Sequence, residues 1–210
     1  MSDQPTALSF ATADDSEELA RAELYGLLAR LWVAAPDEAL LEQFRVAVTQ
    51  APQEGAFLEA PWAALVAAMR ASSVEAATQE YDALFLGVGK PEVFLYGSHY
   101  LTGFLNEKPV AVLRGDLAAL GLVRDEQRGE TEDHLAAICE VMRYLIAGDD
   151  VAVCNLEQQR RFFRAHLQPW GEKLCEAVQA HPRAKLYLAL ADFTQAFLQV
   201  ETQGFDLLEQ

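Results

Sequence analysis

The sequence predicts an all-α fold of about nine helices, and three observations carry that expectation. Apolar residues recur at three- and four-residue spacing along most of the chain, proline and glycine mostly fall between those stripes, and no segment shows the sustained alternation of a sheet strand. Of 210 residues, 51% are hydrophobic and 23% are charged, enough for a core and a solvated surface, which excludes a disordered chain. No apolar run approaches the roughly 20 residues of a membrane helix, so stable membrane insertion is not expected. Met1-Ser2-Asp3-Gln4-Pro5 has no basic stretch ahead of an apolar one, so a secretory signal is not expected and the expected location is cytoplasmic.

The elements follow in order. Residues 1–16 read as a flexible N-terminus, and 17–87 as an N-terminal helical half. Ala20, Leu24, Leu27, Leu28 and Leu31 form one stripe that Pro36 brings to a close. A second helix runs from Asp37 to about Gln50, ended by Pro52, and Pro61 suits the first turn of a third that ends near Ser72. Ser72-Ser73-Val74-Glu75 reads as a capping box opening a helix through Tyr81, Leu84 and Phe85 to Gly87. Residues 88–108, punctuated by Gly89, Pro91, Gly97 and Gly103, read as a hinge leading into a C-terminal half over 109–210. Val93-Phe94-Leu95-Tyr96 is the one strand-like tetrapeptide, too short for a sheet. Gly89-Lys90 fails as a phosphate loop, because Leu84 stands where that motif needs glycine and Pro91 where it needs serine or threonine.

Beyond the hinge, Pro109 to Leu120 is a short helix stopped by Gly121, and Arg124 to Gly129 is a polar connector. Leu135, Ile138, Met142, Leu145 and Ile146 give the next stripe, stopped by Gly148. Phe163, Leu167, Trp170, Leu174 and Val178 keep helical phase across Pro169, where a kink or a fresh helix start is expected. After Pro182 a last helix carries Leu186, Leu190, Phe193 and Phe197. No internal repeat is visible.

Charge narrows the function. With 32 acidic against 16 basic residues the net charge is −16, which repels phosphate backbones and anionic lipids, so nucleic acid is not an expected partner and a basic one is attracted. Cys139, Cys154 and Cys175 are odd in number without a C-x-x-C pair, and read as small buried hydrophobes. None of His99, His134, His166 and His181 has an acid three residues before it, and no H-E-x-x-H occurs, so neither metal nor cofactor is expected. Gly129-Glu130-Thr131-Glu132-Asp133-His134 is the most unusual segment, expected to form the first turn of the following helix. Acids there satisfy free amides and complement the macrodipole. The same carboxylates, with a neutral imidazole, could instead be displayed to receive guanidinium groups, which pair bidentately with them. Both readings stand on the residues alone.

Four segments carry a family resemblance. They are Glu80-Tyr81-Asp82-Ala83-Leu84-Phe85-Leu86-Gly87, Tyr96-Gly97-Ser98-His99-Tyr100, Glu130 to His134, and Phe162-Phe163-Arg164-Ala165-His166-Leu167-Gln168-Pro169-Trp170. In that order they resemble the motifs of the TorD/DmsD/NarJ family of cytoplasmic chaperones, which assist maturation of molybdenum-containing redox enzymes; Thr131 stands where the family usually has proline. The resemblance implies two helical halves, no catalysis, and binding of the twin-arginine leader or the apo form of a redox enzyme. It also implies a monomer or a domain-swapped homodimer exchanging at the hinge. Asp133, with Glu130 or Glu132, would pair the arginines, and His134 would act as a neutral hydrogen-bonding group that makes binding change between about pH 5 and 7. Tyr96, Gly97, Ser98, Phe94 and Tyr25 are the remaining candidates, although Tyr25 also suits the core and Gly97 a tight turn. A helical assembly module that binds a folded protein without reading arginines is the alternative. A nucleotide-binding hydrolase ranks last: adjacent helical residues point about 100° apart, so Asp133 cannot orient His134, and no G-x-S-x-G is present.

Overall fold

The computed structural model of the chain describes residues 15–46, 57–87, 89–124 and 129–207. The terminus expected to be flexible lies outside these residues as far as position 14, as do the expected end of the second helix near Gln50 and most of the polar connector. Ten α-helices occur among the described residues: α1 (Asp15–Val33), α2 (Glu38–Val46), α3 (Glu59–Ala71), α4 (Val74–Tyr81), α5 (Gly97–Thr102), α6 (Lys108–Ala119), α7 (Leu135–Ala147), α8 (Leu156–His166), α9 (Gly171–Gln179) and α10 (Leu186–Leu207). The helix beyond the nine expected is α5, whose six residues are too few to show a stripe. Pro169 gives a fresh start rather than a kink, since α8 ends at His166 and α9 begins at Gly171.

Two compact units form, and neither is continuous in sequence: residues 34–93 group with 175–210, and residues 17–33 group with 94–174. This division differs from the continuous halves expected over 17–87 and 109–210. The reason lies in particular contacts. Arg21 of α1 donates to the Gln159 side chain of α8 at 3.3 Å, and Gly26 leaves room for Arg143 of α7, which a Cβ would meet at 3.0 Å. Likewise α10 is seated on α3 and α4, far behind it in sequence.

In the first unit, Phe44, Trp62 and Phe193 meet in series at tilted angles, with ring centroids 5.8 and 5.5 Å apart. The cap of α4 is one residue later than the expected box: Ser73 accepts from the Ala76 amide at 3.2 Å, while the Ser72 hydroxyl donates back to the Ala68 carbonyl. A π-helical turn, Asp82–Leu86, ends at Gly87, whose φ of 60° and crowding against the Lys90 carbonyl both demand glycine. Glu80 caps α10 from a distance. Its carboxylate accepts from the amides of Lys185, Leu186 and Tyr187 at 2.7, 3.1 and 2.9 Å.

In the second unit, α1 is buried around most of its circumference between Ala22 and Trp32. In the same unit the stripes of α7 (Leu135, Ile138, Cys139, Met142, Leu145) and the α8 region (Phe162, Phe163, Leu167, Trp170) are buried, and α7 packs on α8. Asn155 caps α8 through the Gln158 amide. Cys139 and Cys175 are buried as expected, but Cys154 is partly exposed, its thiol donating to the Tyr144 carbonyl at 3.2 Å.

Candidate functional site

The acidic segment does not form the first turn of α7. It is a separate turn before that helix, closed by a hydrogen bond from the His134 amide to the Thr131 carbonyl, and α7 starts only at Leu135. The turn is fixed by an antiparallel bridge between Tyr96 and His134, with Gly97 N donating to Asp133 O at 2.9 Å and Leu135 N to Leu95 O at 2.8 Å. Two members of the strand-like tetrapeptide, Leu95 and Tyr96, thus provide one bridge rather than a sheet. Two motifs far apart in sequence become one piece of structure.

The three carboxylates differ in their hold. Asp133 is buried; one oxygen accepts from the Ser98 amide at 2.8 Å and the other from the Thr131 hydroxyl at 2.6 Å. It thereby satisfies a free amide at the start of α5, which Tyr96 at the cap position leaves open. Glu130 is exposed and accepts from the Tyr96 hydroxyl. Glu132 receives a two-point fork from Arg114 of α6, Nε to Oε1 at 2.8 Å and Nη2 to Oε2 at 2.9 Å, and this guanidinium holds its carboxyl below the usual carboxylate range. His134 is the cap of α7: its Nδ1 accepts from the Ala136 amide at 3.1 Å, which requires the neutral ring with its proton on Nε2. Burial pushes its pKa down to about 4, against the opposing pull of Glu130 and Asp133.

Alternate faces of the turn meet two recesses. Glu130, Glu132 and His134 line an open one of about 690 Å³, with apolar walls from Val33, Leu117, Leu122 and Val141 and a further carboxylate, Glu140. Asp133 lines a smaller cavity of about 170 Å³ with Gly97, Ser98 and Trp170. Ser98 is fully buried, and its hydroxyl has no partner there. Gly97 is needed for proximity and not for a positive φ, since a Cβ would stand 2.8 Å from the Trp170 indole. His166 is anchored to Asp116 at 2.7 Å beside the same cavity.

Of the residues singled out by sequence, Glu130, Glu132 and His134 reach the large recess, while Tyr96 touches its rim through Glu130 and, edge-on at 5.1 Å, the His134 ring. Tyr25 is fully buried and stands outside that recess, and Phe94 is stacked on His99 at 4.1 Å. Arg114, Val33, Leu117, Leu122 and Glu140 were not singled out, because they come from α1, α6, the segment after it and α7. Exposed Val33 at the end of an apolar helix was the one local signal. Among the described residues no group of three or more His, Cys, Asp and Glu side chains is disposed to hold a metal ion, and no helix is long and apolar enough to cross a membrane.

Comparison with known proteins supplies the lineage. A chaperone protein TorD of Vibrio cholerae is 30% identical over 134 residues, covering 60% of this chain, and one of Vibrio parahaemolyticus is 26% identical over 135 residues, covering 59%. In each case 61% of the relative is covered, so the chain matches about three-fifths of the length of these curated relatives. The pattern of the family described as nitrate reductase delta subunit matches residues 52–176, a span that holds the acidic turn, its bridge partner and the α8 motif. Since that span exceeds half of the chain, the chain belongs to the nitrate reductase delta subunit family.

Proposed function

We propose that this chain is a non-catalytic cytoplasmic chaperone that binds the twin-arginine leader of a molybdenum-containing redox enzyme, or its apo form, and supports maturation of that enzyme. The observation that carries the reading is the open apolar recess rimmed by Glu130, Glu132 and Glu140. A leader with two arginines followed by an apolar stretch needs carboxylates beside an apolar wall, and a net charge of −16 draws it in. The relatives named TorD are chaperones, which favours the same reading. Within the acidic turn the arginine acceptors are Glu130 and Glu132. Asp133, sealed in by the Ser98 amide and the Thr131 hydroxyl, holds the turn in shape, and Ser98 and Gly97 belong to that support.

The test is titration of a labelled peptide carrying Arg-Arg and an apolar stretch, followed by fluorescence anisotropy. The Glu130→Gln/Glu132→Gln protein is expected to bind at least about tenfold more weakly with an unchanged melting temperature, and a Lys-Lys peptide to bind wild type more weakly, since lysine lacks the planar fork. Equal binding of both peptides by wild type and variant would favour the alternative, an assembly module docking on a folded partner. Sedimentation of the same samples reads whether the working form is a monomer or a homodimer exchanged through residues 88–108.

A further inference from the structure

The acidic turn carries a guanidinium of the chain's own. Arg114 donates to both oxygens of Glu132, in the two-point geometry that an incoming arginine would use. The Glu132 side chain is only 9% exposed, whereas that of Arg114 is 53% exposed. The carboxylate is therefore fixed and the cation is the partner free to leave into solvent. The neighbouring acids are held otherwise: Glu130 by a neutral phenol, and Asp133 by a buried amide and a hydroxyl. Glu132 has its place filled by the same chemical group that the proposed ligand carries.

We propose that Arg114 is a resident stand-in, which keeps Glu132 aimed and hydrogen-bonded in the free protein and is displaced when a ligand arginine takes over the fork. The inference rests on the reading of the acidic turn as an arginine receptor, and adds an internal competitor to it. Exchange of one guanidinium for another leaves the hydrogen bonds to Glu132 unchanged in number, so the net gain comes from the rest of the ligand in the apolar recess. Arg114 thus lowers affinity for any peptide that offers arginine without a fitting apolar stretch. Because the guanidinium side of the fork is about half exposed to solvent, its hold is modest and displacement is within reach of a peptide.

The experiment is a double-mutant cycle on the intact chain, read by affinity for the Arg-Arg peptide. Arg114→Ala is expected to bind about two- to fivefold tighter than wild type, the range set by the strength of an ion pair whose cation stands in solvent. Arg114→Lys, which keeps the charge and loses the fork, is expected to gain part of that. The gain should vanish in Arg114→Ala/Glu132→Gln, which isolates the effect to this pair. Arg161→Ala removes an equal charge from α8, where Arg161 pairs with Asp116, and should stay within about twofold of wild type. Wild type binding the peptide while Arg114→Ala binds no tighter, or gains equally without Glu132, overturns the stand-in and leaves the receptor reading intact. Failure of wild type to bind the peptide overturns both.

Discussion

His134 caps α7 with the lone pair of Nδ1, so the folded chain needs this ring neutral. In the unfolded chain an ordinary histidine takes up its proton near pH 6.5; in the folded one burial holds the pKa at about 4. The unfolded state therefore binds more protons between these values, and stability falls as pH drops from about 6.5 to about 4. The full loss is on the order of 3 kcal/mol, and above about pH 6.5 the ring contributes no slope. Urea midpoints at pH 7, 6 and 5 should decline more steeply for wild type than for His134→Asn, which lacks the ring; parallel slopes would remove the ring from the account. The binding change expected between about pH 5 and 7 does not follow from this residue, which stays neutral throughout. The sequence showed that an imidazole and three acids lay together, but not their division of labour. That depends on the Ser98 amide, 35 positions away, and on Arg114, 18 positions away, distances at which spacing rules have nothing to say.

Stripes of leucine and phenylalanine made the helices legible, because burial of one face leaves a period that survives in the sequence. The ends were less so. Ser72 and Ser73 are both competent caps, and only the chain's path decides that Ser73 turns its oxygen to Ala76 while Ser72 bonds back to Ala68. The start of α10 is the clearest case of an end written elsewhere, since Glu80, in α4, supplies the acceptor for three of its amides. Glu80→Ala should lower unfolding free energy by about 2 kcal/mol, the loss of a charged cap, with Glu80→Gln recovering part of it. The measurement is chemical denaturation with an unchanged dependence on denaturant. Loss below about 0.5 kcal/mol would mean that water replaces the carboxylate at no cost. The Tyr96–His134 bridge was invisible for a similar reason: one pairing gives no alternation to detect.

Across the whole molecule the net charge of −16 acts at a range no single contact has. If a cationic peptide is the ligand, its association rate should drop about tenfold between roughly 50 mM and 500 mM salt, while dissociation changes less, because screening acts on the encounter more than on the docked pair. Stopped-flow traces at the two ionic strengths separate the rates, and a salt-independent association would place the attraction in apolar contact alone. The interleaved division of the chain has a consequence for its synthesis. Residues 17–33 and 94–174 are all translated before α10 exists, so the unit that carries the acidic turn has its full complement of residues while the chain is still on the ribosome. The other unit must wait with Trp62 of α3 uncovered until Phe193 of α10 emerges. A chain truncated after residue 174 would therefore hold the residues of the unit that carries the acidic turn and lack the helix that covers Trp62, and the last stretch to leave the tunnel is the one that ends the exposure.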